Sequence, residues 1–212
     1  LGEYVKRMSA DQKEIYYLLG PNREALESSP YYEVFQARKF EVLFLYDPWD
    51  EFVMEHLSVF AEKPVRPAEK AELDVPEEAR KGETLSADQA QALAKWMKET
   101  LGDRVKEVRV SQRLVDSPAV VLDSDKFMTT TMRRIMKAAG KEGETSVTTH
   151  DLEINPRHAI LQRLAKQRES DPALAAKVAE QLLDNARVAA GLLEDPRAMI
   201  KRLNELLERV LN

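Results

Sequence analysis

Cysteine is absent from this chain of 212 residues, which excludes disulfide bonds, thiolate metal sites and cysteine nucleophiles. The absence is compatible with a cytoplasmic protein, because cytosolic proteins do not depend on disulfides. Histidine is scarce too: His56, His150 and His158 are the three in the sequence, and no two of them lie three or four residues apart. One helix face therefore cannot offer two imidazoles to a metal ion, and no metal site is expected.

Glycine and long apolar runs are also lacking. The seven glycines form no phosphate-binding loop of the Walker or dinucleotide type. No apolar run approaches the roughly 18 residues that a membrane-spanning helix needs, so no membrane partner is expected. The net charge is −5, and the acidic excess lies in residues 1–62, which carry 6 basic and 12 acidic side chains. No region is basic enough to predict a nucleic-acid partner.

The first 62 residues predict a small α/β unit. The β-rich segment 14–19 ends at the turn Gly20-Pro21, and the apolar run 40–46 has the length of a strand. A strand that is apolar on both faces is typical of the centre of a sheet, and we expect 40–46 to lie there. The helices expected around these strands span 23–29, 31–38 and 47–60. Residues 63–85, with prolines at 64, 67 and 76 and no hydrophobic period, are interpreted as a linker.

Residues 86–212 predict a mixed domain with a three-stranded sheet. Ser86 and Gln89 have the spacing of a capping box, and the helix that follows ends at Gly102. The strands are expected at 105–110, at 119–122 and around Leu152 and Ile154. The other helices are expected at 126–139 and after Asn155-Pro156, Asp171-Pro172 and Asp195-Pro196, each a capping residue followed by proline. The fold class expected is α/β (α+β), a small α/β/α subdomain followed by this mixed domain and a helical bundle.

No residue pattern in the sequence predicts an enzyme. The 37 acidic residues make close carboxylate pairs unavoidable, and such pairs are normally solvated surface. A Gly-x-Ser-x-Gly elbow is absent. His158 is interpreted as a capping or packing residue at the start of a helix. An enzyme with an unrecognised site is kept as an alternative, without candidate catalytic residues.

The helix predicted at 126–139 is rich in methionine, with Met128, Met132 and Met136 beside Ile135 on one apolar stripe. Methionine side chains are flexible and polarisable, so such a stripe can adapt to many partner shapes. The pattern alone favours an ordinary core helix, and a binding surface is the alternative. Exposure of Met128 and Met132 distinguishes the two.

The last two predicted helices carry more apolar surface than one neighbour needs. The apolar positions of the last helix are Met199, Ile200, Leu203, Leu206, Leu207, Val210 and Leu211, and the helix before it contributes Leu182 and Leu183. The residues assigned to the pairing surface are Met199, Leu203, Leu206, Leu207 and Val210 of the last helix with Leu182 and Leu183. Such a surplus is typical of helix pairing between subunits. Packing within the chain explains the pattern equally well at this point, so both interpretations stay open.

Several motifs, in this order along the chain, resemble the ninety-kilodalton heat-shock protein family. In the first region these are residues 4–8 (YVKRM), 15–17 (IYY), 23–30 (REALESSP) and 41–48 (EVLFLYDP), followed by Asp50-Glu51. In the second region they are residues 113–119 (RLVDSPA), 132–138 (MRRIMKA), 153–158 (EINPRH) and 193–196 (LEDP). The resemblance covers nearly the whole chain, and the bacterial branch of the family is the best match, with the organellar branch second.

The resemblance implies which part of such a chaperone this is. Residues 1–62 correspond to the end of the middle domain and 86–212 to the C-terminal dimerisation domain. The chain begins Leu1-Gly2-Glu3 without methionine, and we expect it to be cut from a longer protein. The family's nucleotide-binding domain lies outside the resemblance, so this chain is expected to hold no cofactor and not to be an enzyme. The full-length parent is expected to be an ATPase that uses ATP and magnesium.

The resemblance also implies sites and partners. Unfolded or partly folded client proteins are expected to contact Met128, Met132, Ile135 and Met136, together with Trp49 and Phe52 on a helix of the first region. The last helices are expected to join two copies of the chain in a four-helix bundle, giving a homodimer. The main alternative is a purely structural dimerisation module in which the methionine-rich helix is core.

Overall fold

The computed structural model describes residues 1–80, 82–123, 129, 132, 135 and 150–211. The helices in these ranges are α1 Gly2–Arg7, α2 Arg23–Glu27, α3 Glu33–Arg38, α4 Asp50–His56, α5 Ala87–Leu101, α6 Ala159–Ser170, α7 Pro172–Ala189 and α8 Arg197–Leu211. The strands are β1 Ile15–Leu19, β2 Val42–Leu45, β3 Val59–Phe60, β4 Lys63–Pro67, β5 Val105–Val110, β6 Ala119–Leu122 and β7 His150–Ile154. Of the predicted helix 126–139, all but Thr129, Met132 and Ile135 lies outside the described residues.

The first sheet has the strand order β2-β1-β4-β3, in which β1 pairs in parallel with both β2 and β4. Helices cover both faces, because Tyr16 and Leu18 pack with residues of α2 and α3 while Ile15 and Tyr17 pack with residues of α1 and α4. The predicted α/β/α subdomain is therefore confirmed. The all-buried central strand is β1, whereas β2, which we placed at the centre, is a half-buried edge strand. Every residue of β2 is half-buried, so both faces of this edge strand favour apolar side chains.

The linker interpretation of 63–85 is wrong for its first part, because Lys63–Pro67 is strand β4, between β1 and β3. The sequence did not predict this strand because Pro64 and Pro67 have no amide hydrogen to donate to a sheet ladder. The sequence did not predict the turn between β3 and β4 either. Ala61 and Glu62 have φ of 48° and 61° there, whereas Asn-Gly is the usual sequence for this conformation. Helix α4 consequently ends at His56 and not near residue 60.

The two regions share one hydrophobic cluster and several buried polar contacts. Leu114 and Val120 pack with Tyr16 and Phe35 of the first region. The buried Arg113 guanidinium donates to the carbonyl oxygens of Ala68 at 2.6 Å and Glu69 at 2.8 Å. The Tyr31 hydroxyl donates to the Val121 carbonyl at 2.5 Å, and the Val75 amide donates to the Gln112 carbonyl at 2.8 Å. These contacts fix the first region, and the segment 63–85 that follows it, against the second region.

Glu33, in the first turn of α3, makes the most extensive contact between the regions. Its carboxylate accepts hydrogen bonds from the backbone amides of Val115 (2.6 Å), Asp116 (3.0 Å) and Ser117 (2.9 Å), and from the Ser117 hydroxyl. The three residues lie on the turn before β6, where no ladder satisfies their amides. A single ionised side chain from the other region therefore holds the turn.

The second sheet has the order β5-β7-β6, with β5 parallel and β6 antiparallel to β7, which confirms the predicted three-stranded sheet. Its core includes Leu93 and Met97 of α5, Leu161 of α6 and Ala179 of α7. The capping box of α5 and the Asp171 cap of α7 are confirmed. The helix expected after Asn155-Pro156 begins later, at Ala159, with His158 as its cap: the imidazole Nδ1 accepts from the Ile160 amide at 3.1 Å.

Replacing Glu33 by Gln tests the contact between the regions. A glutamine offers one acceptor oxygen and turns an N–H group toward the backbone amides, so at least one of these half-buried donors loses its partner. We expect the free energy of unfolding to fall by about 1.5–3 kcal/mol, as for hydrogen bonds to a charged group, in urea denaturation. The control is Glu27→Gln, which breaks only an exposed pair with Arg23 and should change stability by less than about 0.5 kcal/mol. Equal effects of the two changes would contradict the assignment.

Candidate functional site

The last helix, α8, carries an apolar surface that its own chain does not cover. None of its residues is buried. Ile200 is 48% exposed, Leu203 37%, Leu207 51% and Val210 81%. Their spacing of three, four and three residues places them on one stripe along the helix, the pattern of a helix that pairs with another helix. We call these four residues the α8 stripe.

The α8 stripe differs in part from the predicted dimerisation set. Leu203, Leu207 and Val210 are exposed as expected, whereas Met199 and Leu206 are half-buried. Leu182 and Leu183 are 4% and 0% exposed, within the core around the second sheet. Their assignment to a subunit interface is therefore wrong for the described chain, because α7 packs on the sheet and on α6. Ile200 belongs to the predicted apolar stripe of this helix, and its exposure places it with Leu203, Leu207 and Val210.

A second exposed apolar surface lies at the start of α4. Trp49 is 72% exposed, Val53 59% and Tyr46 48%. Phe52 is half-buried, and its ring lies 5.7 Å from that of Trp49 between centroids. We call these four residues the α4 patch; Trp49 and Phe52 were predicted, and Tyr46 and Val53 were missed. The signal for Val53 was its position four residues after Trp49, on the same helix face.

The opposite face of α4 holds a buried carboxylate. Glu51 is 2% exposed; its Oε1 accepts from the Thr129 hydroxyl at 2.7 Å, and the Tyr17 hydroxyl lies 3.5 Å away. The Thr129 Oγ1 also accepts from the Met132 amide at 2.9 Å. Burial raises the pKa of the Glu51 carboxyl above its usual range, the hydrogen bonds from Thr129 and Tyr17 oppose the rise, and the charge of Glu55 adds to it. Glu51 thus joins the α4 patch to the backbone at Met132.

The methionine-rich segment is described at three positions. Met132 is 8% exposed, so the exposure expected of a client-contacting side chain is not found there. Ile135 is half-buried. Met128 and Met136, the other two predicted contacts, lie outside the described residues. Burial of Met132 follows from the Thr129–Glu51 contact, which brings this turn against the first region.

Within the residues that the structure describes, no three acidic or histidine side chains come together as metal ligands. None of the described helices is long and apolar enough to span a bilayer.

Glu51→Gln tests the protonation of the buried carboxyl. Because the folded-state pKa is raised above the ordinary 4.5, the folded chain binds more protons than the unfolded chain between the two pKa values. The free energy of unfolding therefore falls as the pH rises from 4.5 through the folded value. Glutamine keeps an acceptor for Thr129 and does not ionise, so we expect a flatter decline above pH 4.5 in urea denaturation. Glu62→Gln, at an exposed position, should retain the slope of the parent; identical slopes for all three chains would refute this account of Glu51.

Comparisons with known proteins agree with the resemblance noted from the motifs. The family model described as Hsp90 protein matches residues 1–212. The chain is 39% identical over 214 residues to the chaperone protein HtpG of Desulfitobacterium hafniense (strain Y51), which covers 100% of this chain and 34% of that protein. It is 38% identical over 219 residues to the mitochondrial heat shock protein 75 kDa of Rattus norvegicus, covering 100% and 31%.

A third relative, the mitochondrial TNF receptor-associated protein 1 homolog of Dictyostelium discoideum, is 39% identical over 216 residues, covering 100% of this chain and 30% of that protein. The chain therefore spans about a third of the length of these relatives. Both bacterial and mitochondrial proteins occur among them, in keeping with the two branches that the motifs indicated. A match along the whole chain, at more than a third of its positions, assigns the chain to the Hsp90 protein family.

Proposed function

We propose that this chain is the dimerisation and client-binding part of an ATP-dependent molecular chaperone that assists protein folding under stress in the cytoplasm. The observation that carries the proposal is the α8 stripe, four apolar side chains left exposed on a helix without a buried residue. The names of the relatives, a chaperone protein and a heat shock protein, support the chaperone role. In this proposal the chain itself is not an enzyme, and the ATPase, with its ATP and magnesium, belongs to the rest of the parent protein.

The partner proposed for the α8 stripe is a second copy of this chain. Four exposed apolar residues at alternating spacings of three and four form a seam that an identical helix complements. Each of the larger side chains contributes roughly 1.5–3 kcal/mol when it is fully buried, before entropy costs. Two copies of the seam would therefore bury on each other the apolar surface that is exposed in one chain.

The partners proposed for the α4 patch are unfolded or partly folded client proteins. Its aromatic and β-branched side chains present an apolar surface, and Asp47 and Asp50, which flank Trp49, border it with negative charge. Apolar contacts without fixed hydrogen-bond geometry favour weak binding to many sequences. The acidic border favours clients with basic side chains beside apolar ones.

A second candidate function is a purely structural dimerisation module whose methionine-rich helix is core. The 8% exposure of Met132 favours this alternative for that one residue. It leaves the α4 patch unexplained, because Trp49 at 72% exposed contributes little to the core. The two candidates differ in what they require of Trp49, and the second experiment below separates them.

The dimer is tested with Leu207→Asp and Val210→Asp. Both side chains are exposed in the single chain, so an added charge costs the monomer little, but at a helix–helix seam it would be buried without a partner. Light scattering should give twice 24.2 kDa for the parent and a folded monomer for each variant. Ile160→Asp, a similar change at a 41% exposed residue of α6, should remain dimeric. Dimeric Leu207→Asp and Val210→Asp chains would refute the proposal that α8 joins the subunits.

Client binding is tested with Trp49→Ala combined with Val53→Ser. Since both side chains are largely exposed, the melting temperature and the dimer mass should stay near those of the parent, with a stability change within about 0.5 kcal/mol. Suppression of the aggregation of a thermally unfolded reporter enzyme should decrease. The matched control is Ile160→Ser, which removes exposed apolar surface elsewhere and should leave suppression intact. Undiminished suppression by the Trp49/Val53 double variant would favour the structural module.

A further inference from the structure

The flank of α8 that faces its own chain is held by charged groups. Arg202 is the central one, with a side chain that is only 11% exposed. Its Nη1 donates to the Glu180 Oε2 of α7 at 2.8 Å, and its Nη2 donates to the Asp184 Oδ2. The planar guanidinium thus spans two carboxylates one helical turn apart, a geometry that a lysine ammonium does not reproduce.

Asp184 connects this contact to the body of the domain. The residue is 3% exposed, and its second oxygen, Oδ1, accepts from Arg104 Nη2 at 2.5 Å. Arg104 lies in the short turn between α5 and β5, and its carbonyl accepts from Arg187 Nη2 at 2.6 Å. We call Arg104, Glu180, Asp184 and Arg202 the α8 clamp. Asp184 of α7 therefore contacts both Arg202 of α8 and Arg104, which lies just before the second sheet.

The other ion pairs that hold α8 among the described residues are more exposed to solvent. The half-buried apolar residues of α8 are Met199 and Leu206. Two further ion pairs reach α7, between Lys177 and Glu205 at 2.6 Å and between Arg209 and Asp171, but their partly exposed side chains are screened by solvent and such pairs contribute little. Arg202 and Glu205 face α7, and on a helix with 3.6 residues per turn this leaves the α8 stripe turned away from the chain.

We infer that Arg202 is a positioning residue, which holds α8 in the one rotation that presents the stripe to a second copy of the chain. The inference rests on the proposed function, since it concerns the same self-association. A helix that is oriented before the encounter binds more tightly because no orientation entropy is lost on pairing. A buried ion pair acts here as a device for register, the role in which such pairs are best attested.

The test compares dimer dissociation constants of Arg202→Met, Arg202→Lys and the parent by sedimentation equilibrium. Pairing requires the outward rotation in both copies, so a fall in the oriented fraction to about one third raises the dissociation constant about tenfold. We expect about this loss for Arg202→Met, with partial recovery in Arg202→Lys, whose ammonium reaches one carboxylate. Asp184 keeps Arg104 as a partner in both variants, so the core should remain folded. Lys201→Met, which removes the same charge from an exposed neighbour, should leave the constant unchanged.

A spectroscopic measurement separates positioning from general stability. Because the chain lacks cysteine, spin labels attach only to cysteines introduced by mutation. These are placed at the exposed positions Ala173 of α7 and Asn204 of α8. The background is Leu207→Asp, which is expected to keep the chain monomeric. The distance distribution between the labels should be narrow with Arg202 present and broad with Arg202→Met, recorded at a temperature at which circular dichroism shows both chains to be folded. A second variant, Glu180→Gln, removes one arm of the clamp and should broaden the distribution less.

The outcomes distinguish this inference from the function on which it rests. If Leu207→Asp abolishes the dimer while Arg202→Met leaves both the dissociation constant and the label distances unchanged, the positioning role is refuted and the dimer stands. If Leu207→Asp leaves the dimer intact, the α8 stripe is not the interface and the proposed function fails first. In that case the label distances are measured at a concentration that yields monomer, and a broad distribution with Arg202→Met would still support the clamp as an internal contact.

Discussion

A charged group taken out of water is destabilising unless it finds partners, and three of the buried charged residues in this chain lie where one unit meets another. Arg113 joins the second region to the carbonyls of Ala68 and Glu69. Glu51 joins α4 to Thr129, and Asp184 joins α7 to both α8 and the α5–β5 turn. Each requires particular partners at particular distances, so these few residues fix how the units sit on one another. Apolar packing alone does not do this, because it is non-directional.

Each of the two exposed apolar surfaces lies on a helix whose other side is held by one of these polar contacts. The α4 patch lies on the outer face of the helix whose inner face holds Glu51, and the α8 stripe lies beside the flank that holds Arg202. In both helices a polar anchor on one side turns apolar residues outward on the other. Large apolar residues kept at a surface in this way are usually a binding surface. The fold thus separates specific internal contacts from surfaces suited to partners.

Local patterns in the sequence sufficed for much of the fold. The capping box at Ser86 and the Asp171-Pro172 start of α7 are set by neighbouring residues, and both were predicted correctly. Strand β4 was missed because its pairing with β1 overrides the proline content. The hairpin at Ala61 and Glu62 was missed because tertiary structure imposes a conformation that these residue types rarely adopt.

The sites were predicted less completely for the same physical reason. Motifs identified the family and the helices, but α7 and α8 are both amphipathic, and periodicity does not say which stripe faces the chain's own core. Leu182 and Leu183 proved to be core, whereas Leu203 and Leu207 are exposed. The partner of Glu51 lies 78 residues away in the sequence, and such a contact has no local signature. The exposure of a stripe is decided by the contacts of its polar neighbours. A hydrophobic pattern in the sequence does not reveal these contacts.

The contacts of Arg202 explain why the α8 stripe does not pack against α7. Turning the helix about its axis to bury Leu203 and Leu207 against α7 would carry Arg202 away from Glu180 and Asp184. Asp184, at 3% exposed, would then keep Arg104 as its close cation, with Arg187 at 3.9 Å, and Glu180 would lose its shortest ion pair. The gain from burying two leucines would be offset by the loss of Arg202 as a partner of two carboxylates, of which that of Asp184 is buried. Polar satisfaction therefore selects the rotation that leaves the apolar stripe in water, and only a further apolar surface can then cover it.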